Sequence, residues 1–375
     1  MSTLAVNTIT NAAGGNTAQI NGMTPTAQSL QGFRNRIING NMVIDQRNAG
    51  ASVSLVSGGG NTFSADRWYV ENATDGTATI QQVSDAPTGF SNSIKYTVTA
   101  TDASLASDQA AWIQQRIEGF NFSDMLYGTA SAQTVTVSFW VKSSVTGTFG
   151  VTLANSAYNR GYPASFTVNS ANTWEQKTAT IAGDTTGTWI GATNGIGVRV
   201  SFGIAAGSSR SAASGAWGAG VILGVTGQVN LMATNGATFQ VTGVQLEAGS
   251  VATPFERRPY GTELQLAQRY FARFNSLGGS YRGVGAGVSE SATSISCVVK
   301  YPVTMRSGPT ASGANMATYD GSSVRAVTAF STQYTGSDGL NINLTVGGGG
   351  MTTNRPANLI SDNSGTGYFD LSAEL

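Results

Sequence analysis

The sequence predicts an all-β protein: a jelly-roll β-sandwich followed by a smaller C-terminal β domain, with an extended N-terminal arm and one linking helix. Three observations predict it. Short runs of alternating apolar and polar residues recur at roughly ten-to-fifteen-residue intervals, as strands joined by turns do. Glycine, at 48 copies in 375 residues, falls between β-branched runs. Only one stretch carries convincing helical spacing.

Residues 1–32 are polar and glycine-rich, and Leu4, Val6, Ile9 and Ile20 are the only strongly apolar anchors before Met23. That is too few to close a core, so the segment reads as an extended arm that needs a partner surface. Residues 33–261 are assigned to the sandwich. Strands are predicted around Ile37-Ile38 and Met42–Ile44, either side of a turn at Asn39-Gly40-Asn41. Further strands are predicted at 77–83, 93–99, 111–117, 134–141, 149–153, 174–181, 195–204, 227–232 and 239–246. In TVTVSFWVK, Val135, Val137, Phe139 and Val141 share one face and Thr136, Ser138, Trp140 and Lys142 the other. That alternation fits a sheet with one face on a core and one in solvent.

The chain is organised around residues 237–271, ATFQVTGVQLEAGSVATPFERRPYGTELQLAQRYF. Phe239 and Val241 hold one strand phase and Val244 and Leu246 the other, with Gly243 at the change. A bulge, or burial on both faces, is expected there. Pro254 and Pro259 keep the next residues extended. Thr262 with Gln265 is a capping-box pair. Leu264, Ala267, Phe271 and Phe274 then follow at helical spacing beside a second stripe of Leu266 and Tyr270, predicting a helix over 262–274 that Gly278-Gly279 stops. Residues 262–375 form the linking helix and the C-terminal β tip domain. Strands are predicted there at 281–288, 293–301, 324–330, 340–346 and 368–375.

Composition excludes much chemistry. There is no histidine, which removes Ser–His and Cys–His catalysis, His-ligated zinc and His-based pH switching. The single cysteine, Cys297, sits in an apolar run and reads as a buried small hydrophobe. Net charge is zero and 11% of residues are charged, so neither nucleic acid nor an anionic membrane is an expected partner. The N-terminus lacks the basic and apolar regions of a signal peptide, and no run is long enough to span a bilayer. Gly-Ala-Gly at 218–220 and 285–287 lacks the strand–helix context of a phosphate loop and is expected to form turns.

Several phrases resemble phage tail fibres and related host-recognition fibres of virions. They are VNTITNAAGG near the N-terminus, RNRIINGNMVIDQRNAGAS followed by ADRW, FQVTGVQLEAGSVATPFERRPYGTELQLAQRYF, and YPVTMRSGPT with the closing strand. The resemblance implies a carbohydrate-binding-module-like jelly roll in the middle of the chain. It also implies a homotrimer fixed to a virion tail or capsid protein through residues 1–32, made in the host cytoplasm and carried on the virion. Host-surface glycan is the partner it implies, with no cofactor and no fixed catalytic motif. A structural adaptor or decoration protein without ligand is the alternative, and a glycan depolymerase the third reading.

Sugars stack on exposed aromatic rings beside planar polar groups. Trp140 on the non-core phase of its strand, Tyr158 and Tyr162 around a loop, and Tyr319, Arg325 and Tyr334 in the tip are therefore the contact residues expected. Trp189 and Trp217 in glycine-rich loops are further aromatics of this type, as are Asp320 and Asp338 among polar groups. Burial is the commoner fate of any single large aromatic. Leu264, Leu266, Tyr270 and Phe271 are expected at the trimer interface or the domain seam. The acids Asp66, Glu118, Asp124, Glu175, Asp184, Glu247 and Glu256 fall in no motif that forces two together. Asp66 with Arg67, and Glu247 and Glu256 with Arg257-Arg258, are expected to form structural ion pairs, and no enzymatic activity is expected.

Overall fold

The computed structural model describes residues 32–276 and 281–375. The expected attachment arm, but for Gly32, and the Gly278-Gly279 helix stop lie outside the described residues. The chain divides into two compact units. The first holds residues 32–42, Ser52–Thr62 and Tyr69–Arg257; the second holds Val43–Ala51, Phe63–Trp68 and Arg258–Leu375.

The first unit is the jelly-roll sandwich. Its strands in chain order are β1 (Val53–Leu55), β2 (Gly59–Phe63), β3 (Tyr69–Ala73), β4 (Thr77–Val83) and β5 (Ser93–Ala100). There follow β6 (Ala110–Glu118), β7 (Val135–Ser143), β8 (Gly147–Ala154), β9 (Gly161–Val168) and β10 (Glu175–Ile181). The long β11 (Ile196–Ala206), the short pair β12 (Ser211–Ala212) and β13 (Gly224–Val225), and β14 (Thr238–Ala248) complete it. One sheet runs β1-β4-β5-β14-β7-β10 and the other β2-β3-β6-β11-β8-β9. The inward phases meet as aromatic pairs between the sheets. Phe139 of β7 packs at 4.9 Å on both Phe166 and Phe202, and Phe149 of β8 packs at 5.3 Å on Phe239 of β14.

Three local expectations for this unit are corrected. Residues 36–44 form no strand, although the expected turn is present, with Met42 N donating to Asn39 O; Arg36 N donates to Leu246 O and Val244 N to Gly40 O. Asn35 and Gln115 side chains satisfy the amides of Ile37 and Ile38, so side chains replace a ladder. Residues 227–232 are likewise not a strand; the chain there enters a 3-10 turn over Leu231–Ala233 that Asn230 caps. The outer face of β7 is also not solvated throughout. Thr136 and Ser138 are buried, because the chain after β14 folds back and Thr136 donates to Gly249 O. Glu247 lies 3.8 Å from Arg34, and Glu256 accepts from the Arg34 and Asn35 amides. The expected irregularity in β14 is present: its register shifts between Thr242 and Gln245, and Gly243 has φ 60°.

The second unit begins with α1 (Tyr260–Gln268), shorter than the predicted 262–274 and capped by Pro259 rather than Thr262. Phe271 and Phe274 belong instead to β15 (Phe271–Asn275). Their spacing suits a helix, but Phe271–Asn275 pairs antiparallel with β23 (Tyr368–Ser372), and that ladder decides. The strand β18 (Thr310–Ala314) joins β23 on its other edge. The remaining strands are β16 (Gly283–Ser291), β17 (Ser294–Lys300), β19 (Met316–Tyr319), β20 (Val324–Thr335), β21 (Gly339–Val346) and β22 (Pro356–Ser361). They close into a six-stranded barrel in the order β16-β17-β21-β20-β19-β22. Ile295, Cys297, Val299, Leu340, Ile342, Leu344 and Leu359 fill a core shared with Phe369 and Leu371. Gly285 and Gly287, expected in a turn, lie in β16. A Cβ on Gly287 would stand 1.8 Å from Ser296 O, so only glycine permits this close strand approach.

Val43–Ala51 and Phe63–Trp68, both inside the range expected for the sandwich, fold with this second unit. Polar contacts tie them there: Asp66 N donates to Ile44 O, Gln46 Nε2 to Phe271 O, and Arg47 and Arg67 both bind Glu374. Arg67 pairs with Glu374, whereas its neighbour Asp66 lies 3.5 Å from Arg47. Each arginine also caps an aromatic ring, Arg67 at 3.5 Å from Tyr270 and Arg47 at 3.6 Å from Phe271.

Candidate functional site

Strand alternation on the second sheet builds the site. In β6, Ile113 and Ile117 point into the sandwich core, so Trp112, Gln114 and Arg116 occupy the outer face. In β11, Val198, Val200 and Phe202 point inward, which leaves Arg199, Ser201 and Gly203 outside. In β3, Tyr69, Glu71 and Ala73 lie outward by the same parity. Register then aligns them in rows across three strands. Glu71, Trp112 and Gly203 form one row; Tyr69, Gln114 and Ser201 the next; Arg116 and Arg199 the third.

Over these rows lies a cleft of about 430 Å³ lined by Tyr69, Glu71, Trp112, Arg116, Tyr158 and Arg199, with Asp108, Arg210, Val221 and Leu223 contributed by loops. Gly203 keeps the floor low, since a Cβ there would come within 2.5 Å of Leu223 O. Tyr69 and Trp112 meet edge to face at 6.4 Å. Gln114 is the hub. Its Nε2 donates to Ser201 Oγ at 2.7 Å and to Tyr158 Oη at 2.8 Å, while its Oε1 accepts from Arg116 Nε and Arg199 Nη1. Tyr158 is half-buried and is the most exposed residue of the three aromatics. It has φ 56°, and Arg199 stands 4.1 Å from its ring.

Burial raises the Glu71 carboxyl above its usual range, an effect Arg116 opposes, and Tyr69 Oη donates to it. Burial lowers Arg199, and Arg116 beside it acts in the same direction. The indole Nε1 of Trp112 has no hydrogen-bond partner among the described residues. The cleft thus offers ring surface, amide and hydroxyl groups, three guanidiniums and two carboxylates in one place. Among the described residues no group of three or more metal-ligating side chains occurs, and no helix is long and apolar enough to cross a membrane.

Of the contact residues expected from sequence, Tyr158 lies in this cleft. Tyr162 is buried on β9 against Trp217 at 5.3 Å. Trp217 and Trp189 join Tyr127 and Phe122 in one aromatic cluster, and Trp189, Tyr127 and Phe122 also line a smaller cavity of about 280 Å³. Asp184 serves that cluster, binding Arg160 through both carboxylate oxygens and accepting from Trp189 Nε1. Trp140 is half-buried on the outer face of the other sheet, opposite Thr242.

In the barrel, Tyr319 and Tyr334 are exposed, and Arg325 is held by Gly349 O. Asp320 lies well below its usual range because Ser322, Ser323 and Thr352 donate to it, which makes it a turn-forming group. Leu264 and Leu266 are half-buried on α1, and Tyr270 and Phe271 are buried within the second unit. Trp112, Tyr69, Arg116 and Arg199 escape selection from sequence. Their signal is an arginine or tryptophan on the polar phase of a long apolar strand, and it gains meaning once β3, β6 and β11 are known to be neighbours.

The fold and the site together define the class as far as an all-β jelly-roll sandwich with an aromatic, arginine-lined cleft on the outer face of one sheet. No family model and no curated protein matches the chain. Among solved structures, the chain is similar to the enzymatically active domain of tailspike protein 4 of bacteriophage CBA120, at 12% identity over 58% of this chain and with a TM-score of 0.29. It spans 22% of that tailspike chain. It is also similar to a CBM4 module, at 15% identity over 56% of this chain and 98% of the module, with a TM-score of 0.27. A third likeness is the CBM22-1 xylan-binding domain of Xyn10C from Paenibacillus barcinonensis, at 10% identity over 55% and 99% of the two chains, with a TM-score of 0.24. At these identities and scores the likenesses assign no function to this chain.

Proposed function

We propose that the chain is a bacteriophage tail fibre or related virion fibre, trimeric and anchored by residues 1–32, whose sandwich binds a host-surface glycan without cleaving it. One observation carries the binding reading: Tyr69, Trp112 and Tyr158 converge with Gln114 and the arginines in one cleft. Ring surface bordered by a few fixed polar groups is what sugar binding needs. The virion role rests on the sequence phrases shared with phage fibres. Trimerisation draws further support from the apolar residues Val298, Val324 and Tyr334, which stand exposed on the barrel.

A glycan array on the full chain, followed by titration calorimetry on its best hit, tests the binding reading. Tyr158→Ala and Trp112→Ala should each weaken binding by about ten-fold or more, since a stacked aromatic contact is worth roughly 0.5–1.5 kcal/mol beyond its buried area. Binding that survives both changes would move the site to the barrel, where Tyr319, Arg325 and Tyr334 are the residues to change. Release of reducing ends from a bound polysaccharide would convert the reading to an enzyme, with half-buried Glu71 as its acid. Light scattering at monomer mass would remove the trimer, and absence from purified particles would remove the virion role.

A further inference from the structure

The cleft contains more positive charge than its carboxylates compensate. Arg199 is 7% exposed. Its Nη1 donates to Gln114 Oε1 at 3.3 Å and Tyr158 Oη at 3.4 Å, and its Nη2 to Ser156 O at 3.1 Å. Every one of those acceptors is uncharged, and Nε has no partner among the described residues. A buried guanidinium without a carboxylate is costly, and a guanidinium held in place by neutral acceptors at the wall of a cleft is suited to receive one. Arg116 stands directly opposite it across the two strands, which adds like-charge repulsion.

The carboxylates of the cleft are occupied elsewhere or solvated. Glu71 takes the hydroxyl of Tyr69 and feels Arg116. Asp108 is exposed, and Arg210 binds its backbone carbonyl rather than its side chain. Arg199 and Arg210 therefore both face the cleft without an ion pair among the described residues.

We propose that the glycan taken by this cleft is acidic: a carboxylate-bearing sugar, of the hexuronate class, whose carboxylate binds Arg199 while its ring lies along Tyr158 and Trp112. This rests on the reading of the cleft as a glycan site and adds the charge class of its ligand. A bound carboxylate would meet the Arg199 guanidinium where it lines the cleft and relieve the Arg116–Arg199 repulsion. Arg210, half-buried at the loop side, would face a neighbouring acidic residue of a polymer.

The test compares an oligouronate, the same oligomer with its carboxyl groups reduced to primary alcohols, and a sulfated oligosaccharide, by calorimetry on the full chain. The oligouronate should bind at least about ten-fold more tightly than its reduced form, as charge-assisted hydrogen bonds imply. Arg199→Gln should reduce the preference for the oligouronate over its reduced form to less than about two-fold and, where that variant unfolds, Arg210→Gln should lower the preference by about half or more. Equal binding of the oligouronate and its reduced form, lost in Trp112→Ala, would overturn the acidic-sugar inference and leave the glycan reading standing. Tighter binding of the sulfated oligomer than of the oligouronate would overturn the carboxylate assignment. Binding of none of the three, together with a blank array, would end both.

Discussion

Arg116 of β6 and Arg199 of β11 stand directly opposite each other on the cleft face of the second sheet, and both donate to the single Oε1 of Gln114. Two cations facing each other across a ladder repel. Gln114, fully buried between them, holds both in place by accepting from each, while its own amide nitrogen binds Ser201 and Tyr158. One neutral side chain thus positions two charges and the accessible ring.

Gln114→Leu should therefore disable the site through its neighbours. The change removes the acceptor shared by two arginines and leaves buried groups to be satisfied elsewhere. A loss of about 1–3 kcal/mol is expected per buried polar group left unpartnered. Urea denaturation reads the stability, and binding to the best array hit should fall more than the melting temperature explains. A Leu variant that binds normally would remove Gln114 from the site.

The second unit should lose stability as pH rises through the neutral range. Burial pushes the Asp66 carboxyl up to about 7, against an ordinary value of 3.8, although Arg47 and the bonds from Gln46 oppose the shift. The folded state then holds the proton more tightly than the unfolded one. Its stabilising contribution is fully present below pH 3.8 and is lost as pH rises through 7. Urea midpoints taken between pH 4 and 8 should decline, and Asp66→Asn should flatten that decline. Glu374→Gln should narrow the window, because the Glu374 charge helps to raise Asp66. The same change should cost about 3–5 kcal/mol by removing a buried partner of Arg67.

Gly243→Ala tests the bulge in β14. The residue has φ 60°, and an added Cβ would meet Phe90 Cζ at 2.7 Å and Trp140 Cδ1 at 3.1 Å. Strain and overpacking together should cost about 1–3 kcal/mol. Thermal unfolding measures it. An unchanged melting temperature would show that Phe90 and Trp140 give way freely.

Much of the fold was legible because it rests on local period. Alternation in TVTVSFWVK and GIGVRVSFGI marks strands whichever partners they find, and the change of phase at Gly243 marks the bulge. Absence of histidine and the isolation of Cys297 are facts of composition. The buried thiol, pushed up to about 11, agrees with the reading of an inert core residue.

Tertiary pairing decided the rest. Phe271 and Phe274 sit at helical spacing after Leu264 and Ala267, yet the edge of β23 draws Phe271–Asn275 into a ladder. Residues 36–44 have strand composition, but Asn35 and Gln115 bind the amides of Ile37 and Ile38. Arg47, Asp66 and Arg67 fold with Glu374, some three hundred positions away along the chain. The cleft depends on this most. Each strand by itself shows only that Trp112, Arg116 and Arg199 lie on a polar phase. Antiparallel register between β3, β6 and β11 brings them into adjacent rows, and register is a property of strand pairs, which no single strand's alternation specifies.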